Sequence, residues 1–430
     1  MSLDAVLDTL EAKAKAGDSD SQSQLGLKLF QAGRIDEAVP WIEKAASAEQ
    51  LLAQNLLGVM YLNGLAVPLD LTKAATLLIQ SAERGLKEAS YTLAGLYANG
   101  FGVAENQKTS WHYLMQACRG GHAPAFRIAG LLYCLDNPAD INGMTLLRLA
   151  AGYGDALAQA AVASSLVLCG DKKDLLEAGY WAGLAATNGV YSVKQLEVAR
   201  LPSGAPPLPP AVPEWEELDP VILMSARPLK SRPLVPDIVF EFENALPQLA
   251  CEYLVNLSAP RLRPSMVVDP KTGQQMSNPV RSSHSMYFPP SMYDCAVAHV
   301  RNLMAALAEV PAEHAEPLSI LRYTMGQEYK PHQDYFVGTT ASDIHTERQG
   351  GQRAVTMFAY LNDVDTGGET EFPEYNLKIH AGRGKAVKFM NLDHDGRPNP
   401  KTLHAGCPVV RGEKWLATFW FRQRPFSWNA

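Results

Sequence analysis

A histidine and an aspartate one residue apart, His332 and Asp334, lie in the segment LRYTMGQEYKPHQD at residues 321–334. Side chains two positions apart on an extended chain point to the same side, so this pair could grip one metal ion. An imidazole and a carboxylate completed by a second histidine form a triad that holds non-haem Fe(II) and leaves positions open for a cosubstrate and oxygen. His404, in TLHAGCPVVRGEKW, is the candidate third ligand.

Two other His-x-Glu pairs show how easily such a motif arises by chance. His345 and Glu347 lie in a run rich in Thr, Ser and Gly, and His314 and Glu316 lie in the charged connector AEHAEP. Neither pair stands on an apolar strand that could hold it, so we interpret all four as solvated loop residues.

The surroundings of His332 are different. Two apolar segments typical of strands, 354–361 and 386–390, lie between His332 and His404, and Lys414 follows His404. A metal site whose ligands come from opposite ends of a β-sheet needs such intervening strands.

From about residue 240 to 422 the chain resembles the 2-oxoglutarate- and Fe(II)-dependent prolyl 4-hydroxylases. The resemblance is carried by an ordered series of matches: RY at 322–323, HQDYF at 332–336, GQR at 351–353, GGET at 367–370, HAGCPV at 404–409 and GEKWLAT at 412–418. It implies that His332, Asp334 and His404 form the catalytic Fe(II) site. It also implies 2-oxoglutarate and O2 as cosubstrates, with ascorbate as an accessory reductant.

The resemblance also implies a cosubstrate pocket. In this family the residue that matches Lys414 pairs with the distal carboxylate of 2-oxoglutarate, and the residue that matches Tyr323 adds a hydrogen bond. Because strand side chains alternate, Thr418 and Trp420 share a face with Lys414 and would point into the same pocket. A buried ammonium needs an anion, which favours this role over that of an exposed strand lysine.

Four residues are candidates for contacting the substrate: Tyr329, Trp420, Arg353 and Arg281. Each also has a purely structural interpretation: Tyr329 as a strand packer, Trp420 as core, Arg353 as a surface cation and Arg281 as an exposed strand arginine. The polar, glycine-bearing segment 337–351 is either a lid over a bound peptide or a variable surface loop.

Residues 1–200 are rich in Ala, Leu and Gly with helical spacing, and they contain an internal repeat marked by Gly58, Gly95 and Gly130. The units resemble Sel1-like repeats of the tetratricopeptide type, about five pairs of antiparallel helices. Such an α-solenoid offers a concave face for a protein partner. The alternative is a packing scaffold or dimerisation arm without a separate ligand.

The rest of the chain divides at a change in composition. Residues 201–236 are proline-rich, which predicts an extended linker, and residues 237–430 form the predicted dioxygenase domain. Its helices precede strands with two-residue periodicity, so we expect a double-stranded β-helix of the jelly-roll type with flanking helices.

Composition and charge limit the kinds of partner and the cellular location that we expect. The formal net charge is −7, which argues against a nucleic-acid partner. The sequence lacks an 18-residue apolar run, so no membrane-spanning helix is predicted. The six cysteines are scattered without a C-x-x-C pair, which is typical of reduced thiols. The N-terminus lacks an apolar signal segment. A cytoplasmic location is therefore expected.

These features predict an Fe(II)- and 2-oxoglutarate-dependent dioxygenase that hydroxylates a C–H bond. The resemblance favours a prolyl residue of a protein or peptide, with the repeats aiding substrate or partner binding. One alternative is a hydroxylase of a small molecule or free amino acid. An alternative of another class is an assembly scaffold with a relic oxygenase domain.

Overall fold

The computed structural model describes residues 3–170, 174–192, 204, 207–208, 210–220, 229–268, 275–277, 280–337 and 348–428. Parts of the predicted linker and residues 338–347 of the predicted lid lie outside the described residues. So do His345 and Glu347, whose interpretation stays a prediction.

The described part of the N-terminal region is entirely helical. Its eleven helices are α1 (Leu3–Lys15), α2 (Ser19–Gln31), α3 (Ile35–Ser47), α4 (Leu51–Asn63), α5 (Leu71–Glu83), α6 (Lys87–Asn99), α7 (Gln107–Arg119), α8 (Ala123–Cys134), α9 (Ile141–Gly152), α10 (Ala156–Cys169) and α11 (Leu175–Thr187). From α2 onward they pack as five successive pairs, which confirms the predicted solenoid.

Local sequence explains where these helices begin and how closely they pack. Asp70, Asn106 and Asp155 precede α5, α7 and α10, and each side chain accepts a hydrogen bond from a backbone amide in the first turn. Gly58 lies where α4 crosses α5, and a Cβ there would stand 2.9 Å from Cγ of Leu78. Glycine at this position therefore permits close contact within the helix pair.

The C-terminal region combines two helices with sixteen described strands. The helices are α12 (Gln248–Ser258) and α13 (Cys295–Ala308). The strands are β1 (Arg232–Val235), β2 (Val239–Phe242), β3 (Arg263–Pro264), β4 (Met266–Val268), β5 (Gln275–Ser277), β6 (His284–Tyr287), β7 (Ser319–Tyr323), β8 (Tyr329–His332), β9 (Arg353–Tyr360), β10 (Thr366–Gly367), β11 (Thr370–Phe372), β12 (Leu377–Ile379), β13 (Ala386–Met390), β14 (His404–Gly406), β15 (Val409–Arg411) and β16 (Lys414–Arg422).

Two antiparallel sheets form the jelly roll. The large sheet has the order β1-β2-β13-β9-β16-β7-β6-β3, and the small sheet has the order β12-β11-β14-β8. Apolar side chains from both sheets, among them Phe358, Phe389 and Phe372, pack in one cluster between them. The opposite face of the large sheet packs on α12, α13 and the repeats. The predicted fold class is therefore confirmed.

The repeats contact the oxygenase region directly. Helices α6 and α8 pack on α13, and α10 packs on α12. At Gly95 of α6 the backbones approach so closely that a Cβ would stand 2.4 Å from the carbonyl oxygen of Tyr293. The Asn99 amide donates to the same carbonyl at 3.1 Å. One continuous hydrophobic core joins both regions, so the predicted boundaries at 200 and 236 stay a prediction.

The state of the cysteines and the character of the helices can be compared with the predictions from composition. All six cysteines are free thiols, and four of them are buried. Among the helices that the structure describes, none combines the length and apolarity needed to cross a bilayer.

Candidate metal centre and cosubstrate pocket

The two candidate histidines lie opposite each other on neighbouring strands of the small sheet. In the antiparallel pair β8 and β14, His332 is in register with His404, and Asp334 follows the end of β8. One ligand atom from each of the three residues lies within 4.8 Å of the others. Nε2 of His332 is 3.7 Å from Asp334 Oδ1, and Nε2 of His404 is 3.9 Å from Oδ2. This spacing suits a single bound metal ion.

Backbone carbonyls orient both imidazoles. Nδ1 of His332 lies 2.8 Å from the carbonyl oxygen of Lys330, and Nδ1 of His404 lies 3.0 Å from that of Thr402. An Nδ1–H that donates to each carbonyl leaves the Nε2 lone pair directed at the centre. Burial, and then the neighbouring imidazole of His404, lower the pKa of His332. The histidine is therefore neutral, as a metal ligand must be.

Hydrogen bonds from the large sheet hold the carboxylate. The Thr356 hydroxyl donates to Asp334 Oδ2 at 2.7 Å, and the Asn391 amide donates to the Thr356 hydroxyl oxygen at 2.8 Å. Burial opposes ionisation of Asp334, but His404, His332 and Arg353 together with the Thr356 hydroxyl hold its pKa below the usual range. The set fits Fe(II), which two imidazoles and one carboxylate hold in sites of this type.

Sequence reasoning missed Thr356 and Asn391. Thr356 is a polar residue on the apolar strand β9, and its alternation with the residues that face the helices could have indicated that it points into the pocket. The sequence holds no comparable signal for Asn391.

Lys414 lies beside this centre with no counter-ion among the described residues. It is 2% exposed, and its Nζ lies 3.5 Å from the Thr370 hydroxyl oxygen. Its Nζ lies 5.7 Å from the ring centre of Tyr323, the residue in register with it on β7. Burial lowers the pKa of Lys414 to about 8. An uncompensated buried ammonium is unfavourable, so this pocket fits a carboxylate ligand.

The remaining residues of β16 complete the pocket. Thr418 and Trp420 line it with Lys414, as strand alternation predicts. Within the described chain, the buried indole N–H of Trp420 has no hydrogen-bond partner. Tyr329 stacks on the His332 ring, with ring centroids 3.4 Å apart. The pocket thus contains the metal triad, the lysine and four further aromatic side chains, Tyr323, Tyr329, Phe358 and Trp420.

Comparison with known proteins agrees with this geometry. Residues 318–422 match the 2OG-Fe(II) oxygenase superfamily, and residues 51–86, 87–122 and 156–190 match the Sel1 repeat. Probable prolyl 4-hydroxylase 3 of Arabidopsis thaliana is 36% identical over 200 residues, which are 42% of this chain and 68% of that protein. The chain belongs to the prolyl 4-hydroxylase family of 2-oxoglutarate- and Fe(II)-dependent oxygenases.

Two further similarities complete the comparison. Prolyl 4-hydroxylase 1 of Arabidopsis thaliana is 38% identical over 191 residues, 41% of this chain and 66% of that protein. A viral collagen prolyl hydroxylase from Paramecium bursaria Chlorella virus-1, solved as its 2-oxoglutarate complex, is 23% identical with a TM-score of 0.34 and covers 44% of this chain and 97% of its own.

The protein is therefore a 2-oxoglutarate-dependent dioxygenase of the prolyl 4-hydroxylase type, with Fe(II), 2-oxoglutarate and O2 as its cofactor and cosubstrates. Fe(II) held by His332, Asp334 and His404 would let O2 oxidise 2-oxoglutarate to succinate and CO2 and place its second oxygen atom in a C–H bond. The chain itself supplies the ligand triad, a buried cation and a pocket lined largely by buried side chains.

The two candidate substrate arginines have different environments. The Arg281 guanidinium lies 5.4 Å from the Tyr329 ring, next to the pocket. Arg353 makes two hydrogen bonds to the Glu316 carboxylate, at 2.6 and 2.8 Å, and lies 4.1 Å from the Trp420 ring. Arg353 also donates to the backbone carbonyl of Asp334 at 3.3 Å. It is thus part of a largely buried ion pair adjoining the metal ligand.

The prediction that His314 and Glu316 are solvated loop residues was wrong. Glu316 is 7% exposed and accepts hydrogen bonds from both Arg353 and Arg422, while Nδ1 of His314 lies 2.9 Å from the Arg422 carbonyl oxygen. The backbone amide of Glu316 donates to the carbonyl of Trp420 at 2.8 Å, which brings this connector against β16. Its partners are distant in sequence, so local composition indicated solvent instead.

The base of the predicted lid is fixed. Phe336 and Gln352 flank residues 338–347, and they exchange two hydrogen bonds. The Phe336 amide donates to Gln352 Oε1 at 2.7 Å, and Gln352 Nε2 donates to the Phe336 carbonyl at 2.8 Å. The segment between them starts and ends beside the metal ligand Asp334.

Proposed function

We propose that this enzyme hydroxylates a prolyl residue within a protein or peptide. The main support is the His332–Asp334–His404 triad beside a buried Lys414 without a counter-ion, in a chain whose relatives are named prolyl 4-hydroxylases. The three ligands would hold Fe(II), and the pocket would hold 2-oxoglutarate.

Each pocket residue has a role in this proposal. Lys414 supplies the charge for the distal carboxylate of 2-oxoglutarate, and Tyr323 and Thr418 supply hydroxyl groups beside it. Tyr323 is 3% exposed and Thr418 is 5% exposed. Burial raises the pKa of the Tyr323 phenol, so it stays a neutral hydrogen-bond donor. Exclusion of water strengthens these interactions.

The substrate side of the pocket suits a prolyl residue. A prolyl nitrogen has no hydrogen, so only carbonyl groups and the apolar ring are left for recognition. The Trp420 indole N–H could donate to a carbonyl, and the Tyr329 ring offers an apolar surface beside the metal ligands. Arg281 and Arg353 stand next to these aromatic rings and would orient the peptide.

We assign the repeats a second role in partner or substrate binding. Several first helices of the later pairs already contact the oxygenase region. The first two pairs enclose a groove of about 500 Å³, lined in part by Glu49, Gln54 and Glu83. This groove is our candidate site for a protein partner. A cytoplasmic location and ascorbate as reductant belong to the same proposal.

The test is 2-oxoglutarate turnover by the full-length protein. Purified protein with Fe(II), 2-oxoglutarate and O2 should form succinate, and proline-containing peptides should raise the rate and gain one oxygen atom by mass spectrometry. The same peptides with alanine in place of proline should gain none. His332→Ala should abolish turnover, whereas His380→Ala, at a side chain 80% exposed, should leave it unchanged.

Three results would point elsewhere. Oxygen gained by free proline or another small molecule, but not by peptides, would favour the small-molecule alternative. Oxygen inserted at another residue of the peptides would exclude proline as the target. Absence of metal and 2-oxoglutarate binding in the wild-type protein would favour the scaffold with a relic oxygenase domain.

A further inference from the structure

The chain segment after the last repeat contacts the strands that carry the cosubstrate residues. Tyr191, which follows α11, is half-buried, and its hydroxyl lies 2.8 and 2.7 Å from the two carboxylate oxygens of Glu413. The next residue is also fixed, because the Ser192 backbone amide donates to Asn256 Oδ1 of α12 at 2.8 Å. The repeat region therefore ends on the oxygenase in a defined position.

Glu413 links Tyr191 to the adjacent strand. Nε of Arg322 donates to Glu413 Oε2 at 2.8 Å, and the Arg322 guanidinium lies 5.2 Å from the Tyr191 ring. Trp415 closes the cluster, with its ring 5.2 Å from that of Tyr191. These four residues, Tyr191, Arg322, Glu413 and Trp415, form what we call the rear cluster.

The rear cluster stands directly behind the cosubstrate residues. On the paired strands β7 and β16, Arg322 is in register with Trp415, and Tyr323 is in register with Lys414. Because side chains alternate, the first pair faces the helices while the second pair faces the pocket. Lys414 and Tyr323, two of the residues that bind 2-oxoglutarate in our proposal, are thus each next in sequence to a member of the rear cluster.

Lys414 lies at the start of its strand, so its position depends on how the neighbouring residues are held. Lys414 is the first residue of β16, and the strand follows a turn at Gly412, whose φ is +84°. The Asn362 side chain holds the backbone on both sides of Lys414, accepting from the Trp415 amide and donating to the Glu413 carbonyl, each at 2.8 Å. Tyr191 is the part of this support that comes from outside the oxygenase region.

We propose that Tyr191 is a positioning residue for 2-oxoglutarate, acting through Glu413 and Arg322 on Lys414 and Tyr323. This inference rests on the proposed function, in which those two residues hold the cosubstrate. It makes the end of the repeat array part of the cosubstrate site, so that the repeats contribute to catalysis even without a partner.

The experiment measures 2-oxoglutarate binding without turnover. We would titrate 2-oxoglutarate into full-length protein loaded with Mn(II) in a calorimeter. Tyr191→Phe removes one hydroxyl and keeps the ring, so the dissociation constant should rise about three- to tenfold. The matched control is Tyr133→Phe. The Tyr133 hydroxyl, on helix α8 of the repeats, donates to the carbonyl of Asp219 in the predicted linker. This variant should leave the dissociation constant unchanged.

Further variants separate positioning from a merely structural role. Glu413→Gln should weaken binding similarly, and the double variant with Tyr191→Phe should be no weaker than the worse single variant, because both act along one path. In turnover, Tyr191→Phe should raise KM for 2-oxoglutarate and leave kcat within about twofold, since it removes ground-state binding.

The outcomes distinguish this inference from the proposed function. If Tyr191→Phe binds 2-oxoglutarate like wild type while Lys414→Ala binds poorly, the positioning role is refuted and the proposed pocket stands. If Lys414→Ala binds like wild type, the proposed pocket itself is wrong and the role of Tyr191 falls with it. Equal losses in Tyr191→Phe and Tyr133→Phe would indicate general loosening and would also refute the role.

Discussion

The two faces of the large sheet each bury a lysine, and the lysines differ in their partners. Lys388 on β13 is 5% exposed, and its ammonium lies 2.8 Å from a carboxylate oxygen of Glu309. It is in register with Met357, which belongs to the core shared with the helices. On this face the charge is paired within the chain, as a structural role requires.

Lys414 on the other face is buried to the same degree but has no carboxylate at ion-pair distance among the described residues. The chain tolerates an unfavourable charge here, beside three metal ligands, and a bound dianion would remove the penalty. The contrast teaches that a buried charge indicates a ligand site only when its partner is absent from the fold. Burial alone would not separate Lys414 from Lys388.

The largest effects are expected when each of the two lysines is replaced with methionine. Lys414→Met should weaken 2-oxoglutarate binding on the order of a hundredfold, because it removes the buried charge that pairs with the ligand. The same change should stabilise the ligand-free protein by about 1–3 kcal/mol, since an unpaired buried ammonium is replaced by an apolar chain. Calorimetric titration and denaturant unfolding measure the two effects.

Lys388→Met is the matched control and should not alter 2-oxoglutarate affinity. Its carboxylate partner Glu309 has a side chain that is 81% exposed, so the glutamate left behind stays hydrated. If Lys388→Met were more stable but bound 2-oxoglutarate poorly, Lys388 would not be purely structural. If Lys414→Met were less stable but bound 2-oxoglutarate normally, Lys414 would not be the ligand-binding lysine.

The second effect in size concerns the other buried charges near the pocket. Glu316→Gln should destabilise the protein by about 3 kcal/mol, because it leaves Arg353 and Arg422 without their shared anion. It should also weaken Mn(II) binding, since Arg353 supports the carbonyl of Asp334. Denaturant unfolding and metal titration measure these losses.

The control for Glu316→Gln is Glu216→Gln, because Glu216 and its partner Arg119 are both exposed. Its exposed carboxylate should contribute less than about 1 kcal/mol to the free energy of unfolding. Equal destabilisation by the two variants would show that the burial of Glu316 is not decisive.

These residues also show how far sequence reasoning reaches. The strands with two-residue periodicity, the helix repeats and the His332-x-Asp334 pair are local patterns, and the structure has all of them in place. Ion pairs such as Glu316 with Arg353 join positions far apart in the chain, so composition misassigned Glu316. The packing of Tyr191 against Glu413 likewise depends on how the repeats dock, which no local period encodes.

A third, smaller effect is expected at Thr356. Thr356→Val removes the hydroxyl that donates to Asp334 and leaves a side chain of similar shape. Mn(II) affinity should fall about tenfold, as is usual when a hydrogen bond to a metal-binding carboxylate is lost. Thr366→Val, at an exposed position on β10, serves as the control. Unchanged metal affinity in Thr356→Val would mean that the ligand triad alone fixes the carboxylate.

The smallest expected effect is a pH dependence of folding stability and of 2-oxoglutarate binding that arises from the charge of Lys414. Burial lowers the pKa of Lys414 to about 8 from the ordinary 10.5. Between these two values the unfolded chain binds more protons than the ligand-free folded protein, so folding stability should rise with pH in that window. Below about pH 8 both states are protonated and the penalty of the buried charge is fully present.

Cosubstrate binding should follow the opposite course. The neutral amine cannot pair with a carboxylate, so raising the pH from 7 to 9 should weaken 2-oxoglutarate binding by up to about tenfold. Lys414→Arg supplies the control, because a guanidinium keeps its charge throughout this range. Its residual affinity should not change with pH. A wild-type affinity that is constant from pH 7 to 9 would mean that the protonation of Lys414 does not govern binding, and the explanation of its buried, unpaired state by the cosubstrate would then be wrong.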